Sequence, residues 1–377
     1  MSKESNVGII TFHRAENYGA FLQAYALYKE ISNNYKNGKV KVIDYRSKII
    51  EKPYKLIYLG DKDKIIYNFL KSIILLPKNM VRKNNFTQFR NKYIDTTKSI
   101  YNKDNISTYL KDYKYLITGS DQVWNDDITR DDKSLYLLYS DANLKCEKIS
   151  YAASVGSDKK NPVCYKNIAA AIKDYKMVSV REELSKNNLS EYTKKQINVC
   201  LDPVLLHSSK FWDGIRRNAK IKAKYVFVYT ITTDYTMISY AEKIAREKGL
   251  IIVHVDKKDR YKCKSKSMYH CGPDVFVDLI ANAEYVLTNS FHGLAFSIVY
   301  KKKFMIFPMK ERNSRLENLL KLSKLEERVY TDTKQNSCID NEIDYKNAYK
   351  ELNKEQKKSK EFIYNALDIR GSVYENK

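Results

Sequence analysis

The sequence predicts an α/β protein with two Rossmann-like domains facing a cleft. Three observations carry that expectation. Short apolar runs rich in β-branched residues alternate with amphipathic stretches long enough for helices, the pattern of parallel βαβ units. The alternation restarts after about Leu206. Polar clusters recur where the expected strands run out into loops, which is where open α/β sheets bind ligands. The expected organisation is an N-terminal domain over residues 1–206, a C-terminal domain over 207–340 and a helical tail over 341–377.

The first series opens with the strand "NVGIITF" and a loop, "HRAENYG". A helix follows through "AFLQAYALYKEI", with Leu22, Tyr25, Ala26 and Lys29 at helical spacing. "KVKVIDY" reads as the next strand. From about Ser47 to Thr108 the pattern is less regular and mostly helical. "YKYLIT" is a strand entering the polar loop "GSDQVWN", and "EKISYAASVGS" is a strand ending in small residues. A helix through "NIAAAIKDY" precedes the strands "MVSVRE" and "NVCLDPVLL". The second series reads strand "KYVFVYTI", helix "MISYAEKIAREKG", strand "LIIVHV", helix "DVFVDLIANA" and strand "YVLTN". Helix "FHGLAFSIVYK", strand "FMIFP" and helix "SRLENLLKLSK" complete it. The tail from Asp344 is rich in Lys and Glu and reads as helix.

Composition excludes several classes. Hydrophobic residues make up 43% and charged residues 30% of 377 residues, as in an ordinary globular protein. The longest apolar candidate, "FLKSIILLP", is broken by Lys71 and stopped by Pro77, too short for a membrane span. The opening "MSKESNVGII" lacks the layout of a signal peptide, so a cytoplasmic location is expected. The six cysteines form no CxxC pair, and Cys263, His270 and Cys271 lack recognised metal-ligand spacing. The net charge of +23 is spread along the chain, mostly as lysine, without a basic arm or a nucleic-acid-binding motif. The abundance of Lys, Asn, Ile and Tyr matches drift in an AT-rich genome and accounts for most of this charge; weak attraction to the inner face of a membrane is the alternative use, with no nucleic-acid partner.

Chemistry is expected at the strand ends. They are His13 to Gly19, Ser120 to Asn125, Ser154 to Ser157, Arg181-Glu182, Asp202-Pro203 and Asn289 to Gly293. In "TNSFHG", Asn289 and Ser290 can cap a helix and leave its first N–H groups for an anion. Gly293 allows close approach of another group, and His292 in the first turn can move a proton. The alternative for His292 is a hydrogen-bonded polar residue. Arg181 emerging from "MVSV" suits bidentate binding of a carboxylate or phosphate, or else an ion pair with a nearby carboxylate. In "GSDQVWN", Asp121 can accept from hydroxyls or act as a base, and Trp124 can face a sugar. The alternative there is a capping loop with a core tryptophan. "HRAENYGA" lacks GxGxxG, and no Walker A sequence or GxSxG elbow occurs.

The ordered set "VGIITFHRAENYGAFLQAYAL", "ITGSDQVWN", "SYAASVGS", "VSVREELS", "CLDPVLL" and "TNSFHGLAFSIVYKKKF" resembles the polysaccharide pyruvyl transferase family, over roughly Asn6 to Leu325. The resemblance implies a glycosyltransferase-B-like fold. It implies transfer of pyruvate from phosphoenolpyruvate to a saccharide of a bacterial surface polysaccharide, free or lipid-linked, with ketal formation and phosphate release. It puts His292 on the family's acid/base histidine and Arg181 on an arginine that binds phosphoenolpyruvate. Ser290 stands where some members carry arginine, so Ser290, Phe291 and the helix N-terminus would meet the phosphate, with Asn289 and Gly293 beside them. Asp121 or His13 would serve as the base. His13, Glu16, Asn17, Tyr18, Gly19, Gln122 and Trp124 would face the acceptor. Phosphoenolpyruvate is a substrate, and the chemistry formally calls for no cofactor or metal. A glycosyltransferase with a nucleotide-sugar donor is the competing expectation, since the same fold serves it.

Overall fold

The computed structural model describes residues 5–57, 65–102, 106–139, 145–157, 160–309, 313–331 and 339–369. The chain forms two compact units. The first comprises the residues up to Lys55, Asn91–Leu206 and those from Asn353 onward; the second comprises Leu56–Arg90 and His207–Leu352.

The first unit is built on a six-stranded parallel sheet. Its strands are β1 (Asn6–Ile10), β2 (Val40–Val42), β3 (Tyr113–Asp121), β4 (Glu147–Ala153), β5 (Tyr175–Val180) and β6 (Ile197–Val199), in the order β2-β1-β3-β4-β5-β6. The central strands are buried over most of their length, as a sheet covered by helices requires. Helix α1 (Tyr18–Asn34) follows β1 and buries Phe21, Leu22, Tyr25, Ala26 and Ile31. The order turns at β1, which pairs with β2 on one side and β3 on the other. That reversal makes the carboxyl ends of β1 and β3 the topological switch point, the crevice where such sheets bind ligands.

The second unit carries a five-stranded parallel sheet. Its strands are β7 (Tyr225–Tyr229), β8 (Ile251–His254), β9 (Ser265–Ser267), β10 (Tyr285–Thr288) and β11 (Lys303–Ile306), in the order β11-β10-β7-β8-β9. Here the switch point lies between β7 and β10. The longer helices of the chain, numbered onward, are α2 (Ile65–Tyr93), α3 (Pro162–Ala171), α4 (Glu183–Ser190), α5 (Tyr235–Glu247), α6 (Pro273–Ala281), α7 (Phe291–Val299), α8 (Ser314–Ser323) and α9 (Tyr345–Ala366).

Four features differ from the sequence reading. The chain is not cut into 1–206, 207–340 and 341–377. Residues 56–90 group with the second unit because Arg82 and Asn85 of α2 donate to the carbonyls of Tyr269 and His270 (2.6 and 2.8 Å). From Asn353 the tail groups with the first unit, where Tyr364 Oη donates to Glu30 (2.6 Å) and Gln356 to the Leu205 carbonyl (2.9 Å). Pro77 does not stop its helix but sits inside α2, on the exposed side. There the carbonyl that proline leaves without an N–H donor can turn to water. The strand expected over "NVCLDPVLL" is Ile197–Val199, starting one residue earlier and ending at the second residue of that stretch, and Pro203–Leu206 is a 3₁₀ turn. Asp202 builds that turn by accepting the Val204 N–H on its side chain (3.0 Å) and the Leu205 N–H on its carbonyl (2.9 Å).

Candidate functional site

The first unit's switch point gathers the residues after β1 and β3. Thr11 Oγ1 donates to the Ser120 carbonyl (3.3 Å), joining the two strand ends, and accepts from Gln23 Nε2 of α1 (3.0 Å). His13 is buried, with Nδ1 3.1 Å from the Thr11 carbonyl and Nε2 paired to Asp44 Oδ1 at 2.9 Å. Arg14 Nε (2.6 Å) and Ser99 Oγ (2.6 Å) donate to the same carboxylate. Burial works against the Asp44 charge, but the bonds from His13, Arg14 and Ser99 outweigh it and hold the carboxyl well below its ordinary range. Burial pulls the His13 pKa down, against the raising influence of Asp44. His13 therefore belongs to a closed polar network. Its role in this structure is to tie the loop after β1 to the end of β2.

The rest of that loop starts α1. Asn17 is the N-cap, its Oδ1 accepting from the Ala20 N–H (3.1 Å). Its amide oxygen is occupied in capping rather than open to a sugar hydroxyl. Tyr18 and Gly19 form the buried first turn, and Glu16 is half-buried.

After β3, Asp121 adopts a left-handed backbone (φ 71°), and its carbonyl accepts from the N–H groups of Val123 (2.8 Å) and Ser154 (2.9 Å). Gln122 Oε1 accepts from Asn125 Nδ2 (3.0 Å). Gly156 lies against the same side chain: a Cβ at Gly156 would stand 2.0 Å from Gln122 Oε1. Trp124 is 2% exposed and packs in the first unit's hydrophobic core with Val123, Leu135 and Cys164. The expected aromatic face for a sugar is thus corrected. Its indole fills the interior, because the loop after β3 folds Val123 and Trp124 inward.

Arg181 also differs from its expected role. Nη1 donates to Asp202 Oδ2 at 2.5 Å and Nη2 to Asp121 Oδ1 at 3.3 Å, with Nε 3.5 Å from Glu182 Oε1. Burial opposes the guanidinium charge, but Asp202, Asp121 and Glu182 outweigh it and raise the pKa above the ordinary value. Ser154 Oγ donates to Glu182 Oε1 (2.5 Å), and Ser185 Oγ to its Oε2 (3.0 Å). One cation faces three carboxylates, so the cluster does not present positive charge to an anion. The ion-paired alternative for Arg181 is the one found.

The second unit's switch point is organised by the loop after β10. Asn289 clamps the loop after β7, its Oδ1 accepting from the Ile231 N–H (2.7 Å) and its Nδ2 donating to the Thr232 carbonyl (2.9 Å). Both ends of that amide are engaged, which gives Asn289 a structural role in place of donor binding. Thr288 Oγ1 donates to the Tyr229 carbonyl (2.6 Å) and accepts from the Ser290 N–H (3.0 Å). Gly293 is required by this threonine, since a Cβ there would lie 2.3 Å from Thr288 Oγ1. The group that approaches its backbone is thus Thr288, not a ligand. Ser290 is the N-cap of α7 by backbone conformation (φ −101°, ψ 135°) but makes no side-chain cap bond. That leaves its hydroxyl unused by the helix. Phe291 and His292 occupy the first turn, both with about a tenth or less of their surface exposed, their rings edge to face at 5.2 Å.

Sequence reading missed Asp44, Gln23, Ser99 and Thr288. Asp44 was reachable by the strand-end rule, since it follows "KVKVI" directly. The others are set by long-range pairing. Among the described residues no group of three or more His, Cys, Asp or Glu side chains converges as a metal site. Cys338 lies outside the described residues.

Two parallel sheets, each with polar residues at its own switch point, define an α/β fold of the two-Rossmann, glycosyltransferase-B-like class. Solved structures agree on the fold. The UDP-GlcNAc 2-epimerase of Methanocaldococcus jannaschii with UDP-GlcNAc and UDP is 12% identical, with a TM-score of 0.52 over 96% of this chain and 99% of that one. The Neisseria meningitidis UDP-GlcNAc 2-epimerase is 10% identical at 0.50 (97% and 98%), and Anabaena Alr3699/HepE with UDP and glucose 8% identical at 0.50 (97% and 99%). Curated proteins give no match. The sequence profile described as "Polysaccharide pyruvyl transferase" matches residues 17–310, most of the chain. The chain belongs to the polysaccharide pyruvyl transferase family and is a transferase.

Proposed function

We propose that this transferase moves pyruvate from phosphoenolpyruvate to a saccharide, free or lipid-linked, of a surface polysaccharide such as a capsule, on the cytoplasmic side of the membrane. The reaction protonates the donor's methylene carbon. A sugar hydroxyl then attacks the cationic C2 and loses its proton, inorganic phosphate leaves, and a second hydroxyl closes the ketal. The observation that supports the reading is the position of His292, in the first turn of α7 at the second sheet's switch point, beside the uncapped Ser290 hydroxyl. A helix N-terminus favours an anion there. His292 is the proposed proton donor to the methylene, and Ser290 with the first turn the proposed phosphate contact. Asp121, oriented by Arg181, is the proposed base, and the first unit's switch point the proposed saccharide side.

Turnover in D₂O tests the chemistry. The expected product carries one deuterium in its ketal methyl group, and inorganic phosphate is released. His292→Gln is expected to slow turnover about 10²-fold or more while donor affinity persists. Nucleoside diphosphate released from a nucleotide-sugar, with no phosphate released from phosphoenolpyruvate, would refute the reading in favour of glycosyl transfer.

A further inference from the structure

Part of the "FLKSIILLP" stretch faces outward. Within α2, Leu70 is 55%, Ile74 78% and Met80 54% exposed, and Ile73, Pro77 and Val81 are exposed beside them. Positions 70, 73, 74, 77, 80 and 81 recur at intervals of three and four, so they share one helix face. The opposite face is anchored. Phe86 and Phe89 are buried, Arg82 lies over the rings of Phe86 and Tyr269 (4.8 and 4.9 Å), and Asn79 accepts from Tyr269 Oη (2.9 Å). The helix is thus held to its own unit by one side and offers a continuous apolar stripe on the other.

Lone exposed apolar residues are ordinary; a six-residue stripe on a docked helix is not. Lys78 and Lys83 are exposed at its margins, and the chain carries +23 overall. Among the described residues no helix is long and apolar enough to cross a membrane. An apolar stripe with cationic margins fits a helix lying in the plane of a bilayer surface. A second copy would bring the same lysines and the same net charge, so self-association through this face meets repulsion.

We propose that the outer face of α2 is a membrane-docking surface that lies on an anionic lipid bilayer, with Ile74 at its centre. Lysines meet the headgroups and the apolar side chains enter the acyl boundary. The inference stands apart from the pyruvyl-transfer reading, because binding is measured without substrate.

The experiment is co-sedimentation of the full chain with phosphatidylcholine vesicles and with mixed phosphatidylcholine–phosphatidylglycerol vesicles. The expected result is binding to the mixed vesicles that weakens about tenfold or more in Ile74→Glu and in Met80→Glu. Part of the wild-type binding should persist in molar salt, where the screening length is about 3 Å. Ile74→Trp should show blue-shifted emission on the mixed vesicles; Trp124 and Trp212 are buried and give a constant background. If either glutamate variant fails to fold, Ile74→Ser and the tryptophan variant carry the test. No vesicle binding by the wild type would overturn the proposal, as would equal binding by the Ile74 variants. So would a wild-type dimer that Ile74→Glu dissociates in sedimentation velocity.

Discussion

Replacing Arg181 with lysine separates a structural arginine from a donor-binding one. The guanidinium makes one hydrogen bond of 2.5 Å to Asp202, another of 3.3 Å to Asp121, and an ion-pair contact of 3.5 Å to Glu182. A lysine ammonium keeps the charge but cannot span those carboxylates, because its donors radiate from one atom. Retaining the Asp202 bond and losing the one to Asp121 removes a single charged hydrogen bond, about 2 kcal/mol. In a unit of this size that lowers the melting temperature by about 4–8 °C. Arg181→Met leaves three buried carboxylates uncompensated and should cost about 3–5 kcal/mol. Adding Asp202→Asn should recover part of that loss, since it removes the closest of the stranded charges. Calorimetry on the four proteins, with phosphoenolpyruvate titrated into each at a temperature where all are folded, gives stability and donor affinity together. An Arg181→Lys protein that melts with the wild type but binds phosphoenolpyruvate tenfold more weakly would refute the reasoning and restore the donor arm.

Trp124→Ala should cost about 3–5 kcal/mol as a core cavity, read by chemical denaturation, with saccharide KM unchanged wherever the variant is folded. Gly293→Ala should destabilise the second unit by about 1–3 kcal/mol through overpacking against Thr288, read as a lowered melting temperature. Asp44 has a folded-state pKa below its ordinary 3.8, so its stabilisation is present above that pH and is lost as pH falls through the folded value. The stability gap between wild type and Asp44→Asn should therefore narrow as urea titrations move below that pH, and a constant gap would count against the His13–Asp44–Arg14 network. Asn17→Ala should cost about 1 kcal/mol as a lost helix cap, with little change in saccharide affinity.

Which parts of this were legible follows from what is local. β1, β3, β7 and β10 are short apolar runs because both faces of a parallel sheet are covered, and their neighbours in sequence announce them. Locating the strand ends then located both switch points, and with them His13, Asp121 and His292. β9 was not legible: "SKS" carries no apolar signal and forms only by pairing with β8. The partners of Arg181 were not legible either, since Asp121 and Asp202 come from other strand ends and only the assembled sheet brings them to one guanidinium. Trp124 and Asn289 show the same limit. A polar or aromatic residue at a strand end reads alike whether it faces a ligand, caps a helix or turns into the core.

Thr288 and Gly293 have a consequence for how this loop can change over generations. Thr288 uses its hydroxyl twice, and its bulk fills the space above Gly293. An alanine at position 293 arriving first meets a clash. The same alanine arriving after Thr288→Ala escapes the hydroxyl and methyl contacts and has only the Cβ of position 288, at 2.8 Å, to push aside, though the Tyr229 carbonyl and the Ser290 N–H must then find other partners. The two positions are epistatic, and the order of substitution decides which paths are passable. A library varying both together should recover folded pairs that neither single change predicts.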